Sequence, residues 1–367
     1  MKKKIAHIQL LPIMSGVQRI SLSIFKALNP DEYECHLICA EDPFNRTDSL
    51  IERARELGIT VHVIKGLKRE IGLADISVFL KIFRLCKKEK FDIVHTHTSK
   101  MGVLGRIAAK TAGCKKVIHT IHGVAFHPYE KRYLQVLYYL MDMIAALFAD
   151  KLVSVNNGYR KAYWYAAKKL ITIYNGIPFE NNLFIERKLL SPLKIIFVGR
   201  LDKQKDPMTL LKALNLVKVK GYKFEAKLVG DGELTDIAQQ YIDFKGMSED
   251  VKLLGWRDDV PELLSQSNLF ILSSLYEALP LSFCEAGYSG IACIGTDIIG
   301  VREVVVNSVT GFLFPPKNYL ALAELIIRFI NEPKLLGFMG ANAHKFITEH
   351  FNEERMIREY LELYISD

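Results

Sequence analysis

The sequence predicts an α/β protein built from two doubly wound parallel sheets, and three observations predict it. Short apolar runs alternate with helical patterns nearly throughout, as in a parallel sheet covered on both faces. The alternation restarts after a polar, turn-forming stretch at residues 178–192. Several apolar runs end in glycine followed by charged residues, the composition of ligand-binding loops at the carboxyl edge of such sheets. At 367 residues the chain is also too long for one typical core.

In order, the first half is expected to hold strands Lys4–Leu11, Tyr33–Ala40, Thr60–Lys65, Ile93–Thr98, Val117–His122, Leu152–Asn156 and Ile171–Ile177. The second half holds Leu193–Val198, Ala226–Val229, Val251–Leu254, Leu269–Leu272, Ala292–Gly295 and Phe312–Phe314. The expected domains are therefore 1–177 and 193–350, joined by 178–192. Residues Asn352–Ile365 show helical apolar spacing and make 351–367 a terminal helix.

The six cysteines (Cys35, Cys39, Cys86, Cys114, Cys284, Cys293) form no C-x-x-C pair and no small secreted framework, which fits a reducing cytoplasm. Met1-Lys2-Lys3-Lys4 is charged like a signal-peptide start, but the apolar run after it is strand-like and too short for a secretory core. Tyr133–Ala149 is the longest apolar segment; Gln135 and Asp142 interrupt it and it falls short of the ~20 residues of a span. It is expected as a buried core helix, with a membrane-dipping helix as the alternative.

Charge is unevenly divided. Residues 1–175 carry 28 Lys+Arg against 15 Asp+Glu, leaving the remainder net acidic within an overall +8. Clusters such as Lys2–Lys4, Lys81/Arg84/Lys87/Lys88/Lys90 and Lys131-Arg132 suit anionic lipid or a phosphorylated acceptor, or form a solvated basic surface. Nucleic acid is not expected, because no recognised binding motif accompanies the charge.

The turns after the strands carry the chemistry. Ser15-Gly16 follows the first strand, where Gly16 permits close backbone approach to a ligand or makes an ordinary strand-to-helix turn. No G-x-G-x-x-G occurs there, against a standard dinucleotide dehydrogenase. On a strand, residues two apart share a face, so His95 joins His97 and Thr120 joins His122. No cysteine or carboxylate cluster completes a metal set around them, and no metal is expected. His122-Gly123 ends its strand, where a neutral imidazole can hydrogen-bond a substrate hydroxyl. In the second half, Gly199-Arg200 with Lys205 offers a fork of donors and a compact cation for a diphosphate. Val229-Gly230-Asp231-Gly232 and Gly255-Trp256-Arg257 end the next two strands. Then Glu277 lies in a strand-end turn and Glu285 more than one turn into the following helix, whose first helical position is expected to be Pro280. These carboxylates either accept hydroxyls beside an anion-binding helix start or are solvated.

The ordered set Gly199-Arg200…Lys205, Gly230-Asp231-Gly232, Gly255-Trp256-Arg257 and Glu277-x7-Glu285 resembles the donor domain of the retaining, nucleotide-sugar-dependent glycosyltransferases of the GT-B fold, family 4 or group 1. The first half is similar to that family's acceptor domain, and its run His95–Arg106 through His119–Gly123 to bacterial enzymes that extend polysaccharide or O-antigen units. The resemblance implies two Rossmann-like domains facing across a cleft that closes on donor binding, with the terminal helix returning to the first domain. It implies that Arg200 and Lys205 hold the donor diphosphate, Glu285 the ribose and Glu277 the transferred sugar. Leu281 and Ser282 would meet the phosphates, Gly16 and Gly199 would let backbone approach the donor, main chain at Arg257 would frame the base, and His122 would hydrogen-bond the sugar. Ser15, His97 and Lys100 are the acceptor-side candidates. Ser15 stands where the family often has a second glycine, and Ala278 is likewise often glycine. The implied activity is transfer from a UDP- or GDP-sugar to a saccharide or polyprenyl-diphosphate-linked acceptor, with retention and no required metal or other cofactor. An enzyme peripheral on the inner face of the cytoplasmic membrane is implied. A same-fold epimerase or phosphorylase, or a silent sugar-nucleotide-binding subunit, are the alternatives.

Overall fold

The computed structural model describes residues 2–42, 49–68, 70–179, 184 and 192–366, so most of the expected connection 178–192 lies outside the described residues. The chain divides into two compact units, one formed by residues 1–175 with 354–367 and the other by 176–353.

The first unit alternates β1 (Lys3–Ile8), α1 (Gly16–Ala27), β2 (Tyr33–Ala40), α2 (Leu50–Glu56), β3 (Thr60–Ile64), α3 (Ala74–Glu89), β4 (Ile93–His97), α4 (Ser99–Thr111), β5 (Lys116–Ile121), α5 (Arg132–Ala146), β6 (Lys151–Ser154) and β7 (Leu170–Thr172). Its strands form a seven-stranded sheet in the order β3-β2-β1-β4-β5-β6-β7, with every pairing parallel. The chain winds outward from β1 to β3 and then restarts at β4, so the direction reverses between β1 and β4. Ile8, Ile38, Val94 and Val117 pack with Ile82 and Met101 in an apolar layer. β7 ends earlier than the sequence pattern implies. Ile177 is apolar because it pairs instead with Asn352, donating to Phe351 O (2.9 Å) and accepting from Glu353 N (3.1 Å), within the second unit.

The second unit runs β8 (Leu193–Val198), α6 (Pro207–Val219), β9 (Phe224–Val229), α7 (Thr235–Phe244), β10 (Val251–Gly255), α8 (Val260–Ser265), β11 (Leu269–Leu272), α9 (Leu281–Tyr288), β12 (Ala292–Thr296), α10 (Ile299–Arg302), β13 (Gly311–Phe314), α11 (Tyr319–Asn331) and α12 (Lys334–His350). Its six strands, also parallel, have the order β10-β9-β8-β11-β12-β13. The direction reverses between β8 and β11, the position at which open α/β sheets leave a crevice beyond their carboxyl ends. The last helix, α13 (Glu353–Ile365), buries Met356, Tyr360, Leu363 and Tyr364, and its residues from Glu354 belong to the first unit.

Helix α5 overturns the expectation of a buried core helix. Only Asp142, Ala145 and Ala146 are buried, while Tyr133, Val136, Leu137, Leu140 and Ile144, and Leu147 just beyond, are exposed. The reason is an inverted face. Arg106 of α4 is fully buried and donates through Nη2 to Asp142, which also accepts from Tyr165 at 3.1 Å, so α5 turns its one acid inward. Burial alone would push the Asp142 carboxyl up, but Arg106, His119 and Tyr163 outweigh it and hold its pKa below the ordinary value. Breaking such a pair by removing one partner costs about 3–5 kcal/mol, so the pair fixes which face of α5 is left for solvent.

Candidate functional site

In the second unit the loop after β8 and the turn after β11 meet at the reversal point. Leu275 N donates to Gln204 O (2.7 Å), Gln204 Nε2 to Tyr276 O (3.0 Å) and Ser273 Oγ to Asp206 O (2.7 Å). These ties bring Lys205 against Glu277, with Nζ 2.5 Å from Oε1. Ser274 Oγ donates to the same oxygen at 2.7 Å. The pair is only partly accessible, at 15% and 8% exposure, so it is screened less than a surface ion pair. Arg200 is exposed, and its Nη2 contacts Asp202 (2.8 Å) and Gln204 (2.9 Å).

Glycine is required where these loops cross. Gly230 sits at φ 126° and a Cβ there would strike Gly199 O, while a Cβ at Gly300 would strike the carbonyls of Glu277 and Ala278. Gly199 itself lies under the Lys205 stem. Helix α6 starts from Asp206, whose carboxylate accepts from Thr209 N (3.4 Å), with Pro207 in its first turn. Helix α9 differs slightly from expectation. Pro280 is its N-cap rather than its first helical residue, because ψ 103° takes Pro280 out of helical geometry. Leu281 and Ser282 open the helix and are partly exposed, as is Glu285 one turn on. The first amides of a helix have no partner within it and are poised for an anion. Arg257 clamps its neighbour Asp259 through Nε–Oδ1 (2.8 Å) and Nη2–Oδ2 (2.5 Å). Arg257 lies two residues past the end of β10 and is exposed.

At the reversal point of the first unit, His95 and His97 of β4 share one face, as expected, and the structure adds His7 of β1. His122, just past β5, places Nε2 3.0 Å from His97 Nδ1. His97 Nε2 lies 3.2 Å from His7 Nδ1, and His7 Nε2 lies 2.9 Å from Tyr364 OH. Tyr364 OH also meets His95 Nδ1 (2.7 Å), and His95 Nε2 meets Thr120 Oγ1 (2.7 Å), itself 3.1 Å from Tyr360 OH. Three imidazoles this close could surround a metal ion, yet each of their nitrogens already has a hydrogen-bond partner. Burial lowers the pKa of His7, His119 and His122 to about 3, and burial followed by the neighbouring imidazoles takes His95 and His97 well below the ordinary value. All five are neutral at physiological pH.

Two acceptor-side candidates are occupied differently from expectation. Lys100 Nζ is 2.6 Å from Asp75 Oδ1 and donates to Lys68 O (2.8 Å) and Glu70 O (2.5 Å), so its three donors tie α4 to the first turn of α3 and to the segment before it. His97 is fully buried and reaches the surface only through His122. Ser15 is exposed and donates to Gln18, and Gly16 is the first residue of α1. The sequence reading missed His7, Tyr360 and Tyr364. A lone histidine inside the apolar run Ile5–Ile8 and two tyrosines four apart on the last helix were the available signals. It also missed Thr98, held at φ 64° between β4 and α4, a strained non-glycine conformation of the kind that collects at functional sites.

Comparison with known proteins shows the family and the fold. Residues 179–346 match the family model for glycosyl transferases group 1, and residues 14–181 that for glycosyltransferase family 4. The chain is 34% identical, over 100% of its length and 97% of the relative's, to the Escherichia coli UDP-Gal:alpha-D-GlcNAc-diphosphoundecaprenol alpha-1,3-galactosyltransferase. It is 28% identical, over 83% of the chain and 84% of the relative, to the Staphylococcus aureus capsular polysaccharide biosynthesis glycosyltransferase CapM. Anabaena HepE, crystallised with UDP and glucose, superposes with a TM-score of 0.82 at 21% identity over all of both chains, which shows the fold. The chain thus has the GT-B fold and belongs to the group 1 glycosyltransferases of bacterial polysaccharide and capsule synthesis.

Proposed function

We propose that the chain moves a hexosyl or N-acetylhexosaminyl group from a UDP- or GDP-sugar to a saccharide carried on a polyprenyl diphosphate, with retention of anomeric configuration and without a required metal. The observation that carries the donor side is the Lys205–Glu277 pair at the β8/β11 reversal, beside exposed Arg200 and the start of α9. Cleaving the sugar–phosphate bond builds negative charge on the diphosphate. Lys205, Arg200 and the amides at Leu281 and Ser282 oppose that charge with dipoles already in place, the arrangement that stabilises a transition state most. Glu277 accepts hydroxyls of the transferred sugar and Glu285 those of the ribose. His122 hydrogen-bonds the sugar, and Gly16 and Gly199 let main chain approach the donor. Neither glutamate is assigned as a nucleophile; the departing phosphate takes the acceptor proton on the same face. The E. coli relative acts, by its name, from UDP-Gal onto GlcNAc-diphosphoundecaprenol, which supports a lipid-linked acceptor here. Incubation with a panel of UDP- and GDP-sugars and a synthetic polyprenyl-diphosphate saccharide is expected to release nucleoside diphosphate with one donor class. No release with any donor, with or without acceptor, would remove the proposal.

A lipid-linked acceptor requires the chain to work at a membrane, and α5 supplies a face for one. None of the described helices is long and apolar enough to cross a membrane. Yet Tyr133, Val136, Leu137, Leu140, Ile144 and Leu147 recur at helical spacing on the exposed side of α5. Exposed Trp164 lies alongside, with Nε1 donating to Tyr139 OH (3.0 Å), and Lys131, Arg132, Arg160 and Lys161 are exposed at the ends of this surface. Apolar residues with tryptophan, rimmed by cations, match an interfacial helix lying in the headgroup region. The chain is expected to float with vesicles containing anionic lipid. Leu137→Glu forfeits about 2 kcal/mol of apolar transfer, roughly a 30-fold weaker partition. Equal flotation of wild type and variant would exclude this face.

A further inference from the structure

The buried imidazoles of the first unit and the tyrosines of α13 form one continuous hydrogen-bonded series. It runs from Tyr360 to Thr120, His95, Tyr364, His7, His97 and finally His122. A neutral imidazole carries a single N–H, so one nitrogen donates and the other accepts. Threonine and tyrosine hydroxyls donate once and also accept. Every member between the two ends is held on both sides by another member, so as long as each buried hydroxyl donates within the series, the direction of one hydrogen bond dictates all the rest. Ser21 does not break this rule. It accepts from Gln9 Nε2 (2.6 Å) and closes a triangle with His7 Nδ1 (3.0 Å) and His97 Nε2 (3.3 Å) that is satisfied in either direction.

Only two polarities leave no hydroxyl proton stranded inside the series, and they differ in what is left over at its ends. If protons point from His122 inward, the hydroxyl proton of Tyr360 has no described acceptor, and Tyr360 is wholly buried. If they point from Tyr360 outward, the unmatched donor is Nδ1–H of His122. That atom is itself buried and meets no described residue, although other atoms of the side chain are partly exposed at the end of β5. The inward polarity therefore strands two buried groups, the Tyr360 hydroxyl proton and the Nδ1 lone pair of His122, whereas the outward one strands only the Nδ1–H of His122 and is the less costly.

We propose that Tyr360, Thr120 and Tyr364 act as positioning residues that fix His122 as an Nδ1–H donor, aimed at an oxygen of the bound substrate such as a sugar hydroxyl. The inference rests on the reading that His122 meets the sugar, and it adds the direction of that hydrogen bond. In this polarity His95, His7, His97 and His122 all carry their proton on Nδ1. In the opposite one all four carry it on Nε2.

Imidazole nitrogen-15 spectra of the full chain without nucleotide sugar distinguish the two. His119 serves as an internal reference, because its Nδ1 faces Thr96 O (3.1 Å), an obligate acceptor. The expected result is protonated Nδ1 and unprotonated Nε2 on each of His7, His95, His97 and His122, assigned by single-histidine substitution because His344 and His350 also face carbonyls through Nδ1; Nε2–H on His122 overturns the proposal outright. A second measurement tests the coupling. His122→Phe removes the exit for the last donor, and His95, which does not touch His122 in the series, is then expected to lose its pure Nδ1–H signature. An unmoved His95 in that variant, with the chain folded by circular dichroism, overturns the relay. Both readouts are taken without turnover, so they are independent of the donor screen. Failure to release nucleoside diphosphate would remove the transfer reading and leave these tautomers to be judged separately.

Discussion

Lys205→Ala is expected to lower nucleoside diphosphate release by roughly 10²–10³-fold, the loss typical for removing one preorganised charge stabiliser. The structure sharpens this into an ordering among variants. Lys205 Nζ lies 2.5 Å from Glu277 Oε1, and Glu277 is 8% exposed. Truncating Lys205 therefore does more than delete a cation. It leaves a carboxylate with its ammonium partner gone at the position proposed for the diphosphate, and like charges that close cannot be screened well. Glu277→Gln instead leaves Lys205 charged toward the donor and removes only an acceptor for the sugar hydroxyls. The double variant Lys205→Ala/Glu277→Gln should then bind donor better than Lys205→Ala alone, since the repulsion is gone, while kcat stays low. Lys205→Arg should not restore the wild-type rate, because the planar fork cannot replace a compact ammonium packed over Gly199. Steady-state kinetics of nucleoside diphosphate release for the four chains measure the ordering. A Lys205→Ala rate within twofold of wild type would show that the diphosphate is held elsewhere.

That pair also shows how far a sequence can be read. Lys205 and Glu277 are distant in the chain, and no local pattern joins them. They become neighbours only because a doubly wound sheet sets β11 beside β8, so recognising the alternation was enough to place both at one crevice. Strands, helix starts and glycine-ended loops were legible for the same reason: each is specified by a few adjacent residues. Orientation was not. The apolar count of α5 predicted burial, yet Arg106 across the helix pair draws Asp142 inward and turns the leucines out. Lys100 has the composition of a ligand-binding residue, but Asp75 and two carbonyls capture it. Tyr364 reaches His7 from the far end of the chain, a contact that only the folded terminal helix creates. Long-range partners decide what a polar side chain is for, and one sequence carries no sign of them.

The same imidazoles make the first unit acid-labile, and the sign follows from linkage. Burial holds the folded-state pKa of His7, His119 and His122 at about 3, against about 6.5 for an unfolded histidine, and holds His95 and His97 well below the ordinary value. Between those limits the unfolded chain binds more protons than the folded one, so stability rises with pH. The contribution is complete above about pH 6.5 and is lost progressively as pH falls toward 3. Such a group removes about 1 kcal/mol between pH 6.5 and 5.5, where the unfolded imidazole is only partly protonated, and about 1.4 kcal/mol per pH unit below that, so His7, His119 and His122 together remove about 3 kcal/mol over that first pH unit. That is a large share of the roughly 5–15 kcal/mol by which a domain is stable. Within the first unit Asp142 does not offset it in this window, because its depressed pKa makes its contribution fall away only at still lower pH. Amide hydrogen exchange between pH 7.5 and 5.5, corrected for the intrinsic rate, should show β1, β4 and β5 losing protection steeply. β8 and β11, whose described core residues include no histidine, should change far less. Equal loss in both sheets, or none in either, would mean that the imidazoles are not held neutral by burial. Opening localised to the first unit would release His122 while the Lys205–Glu277 pair, held between the loops after β8 and β11, stays in place.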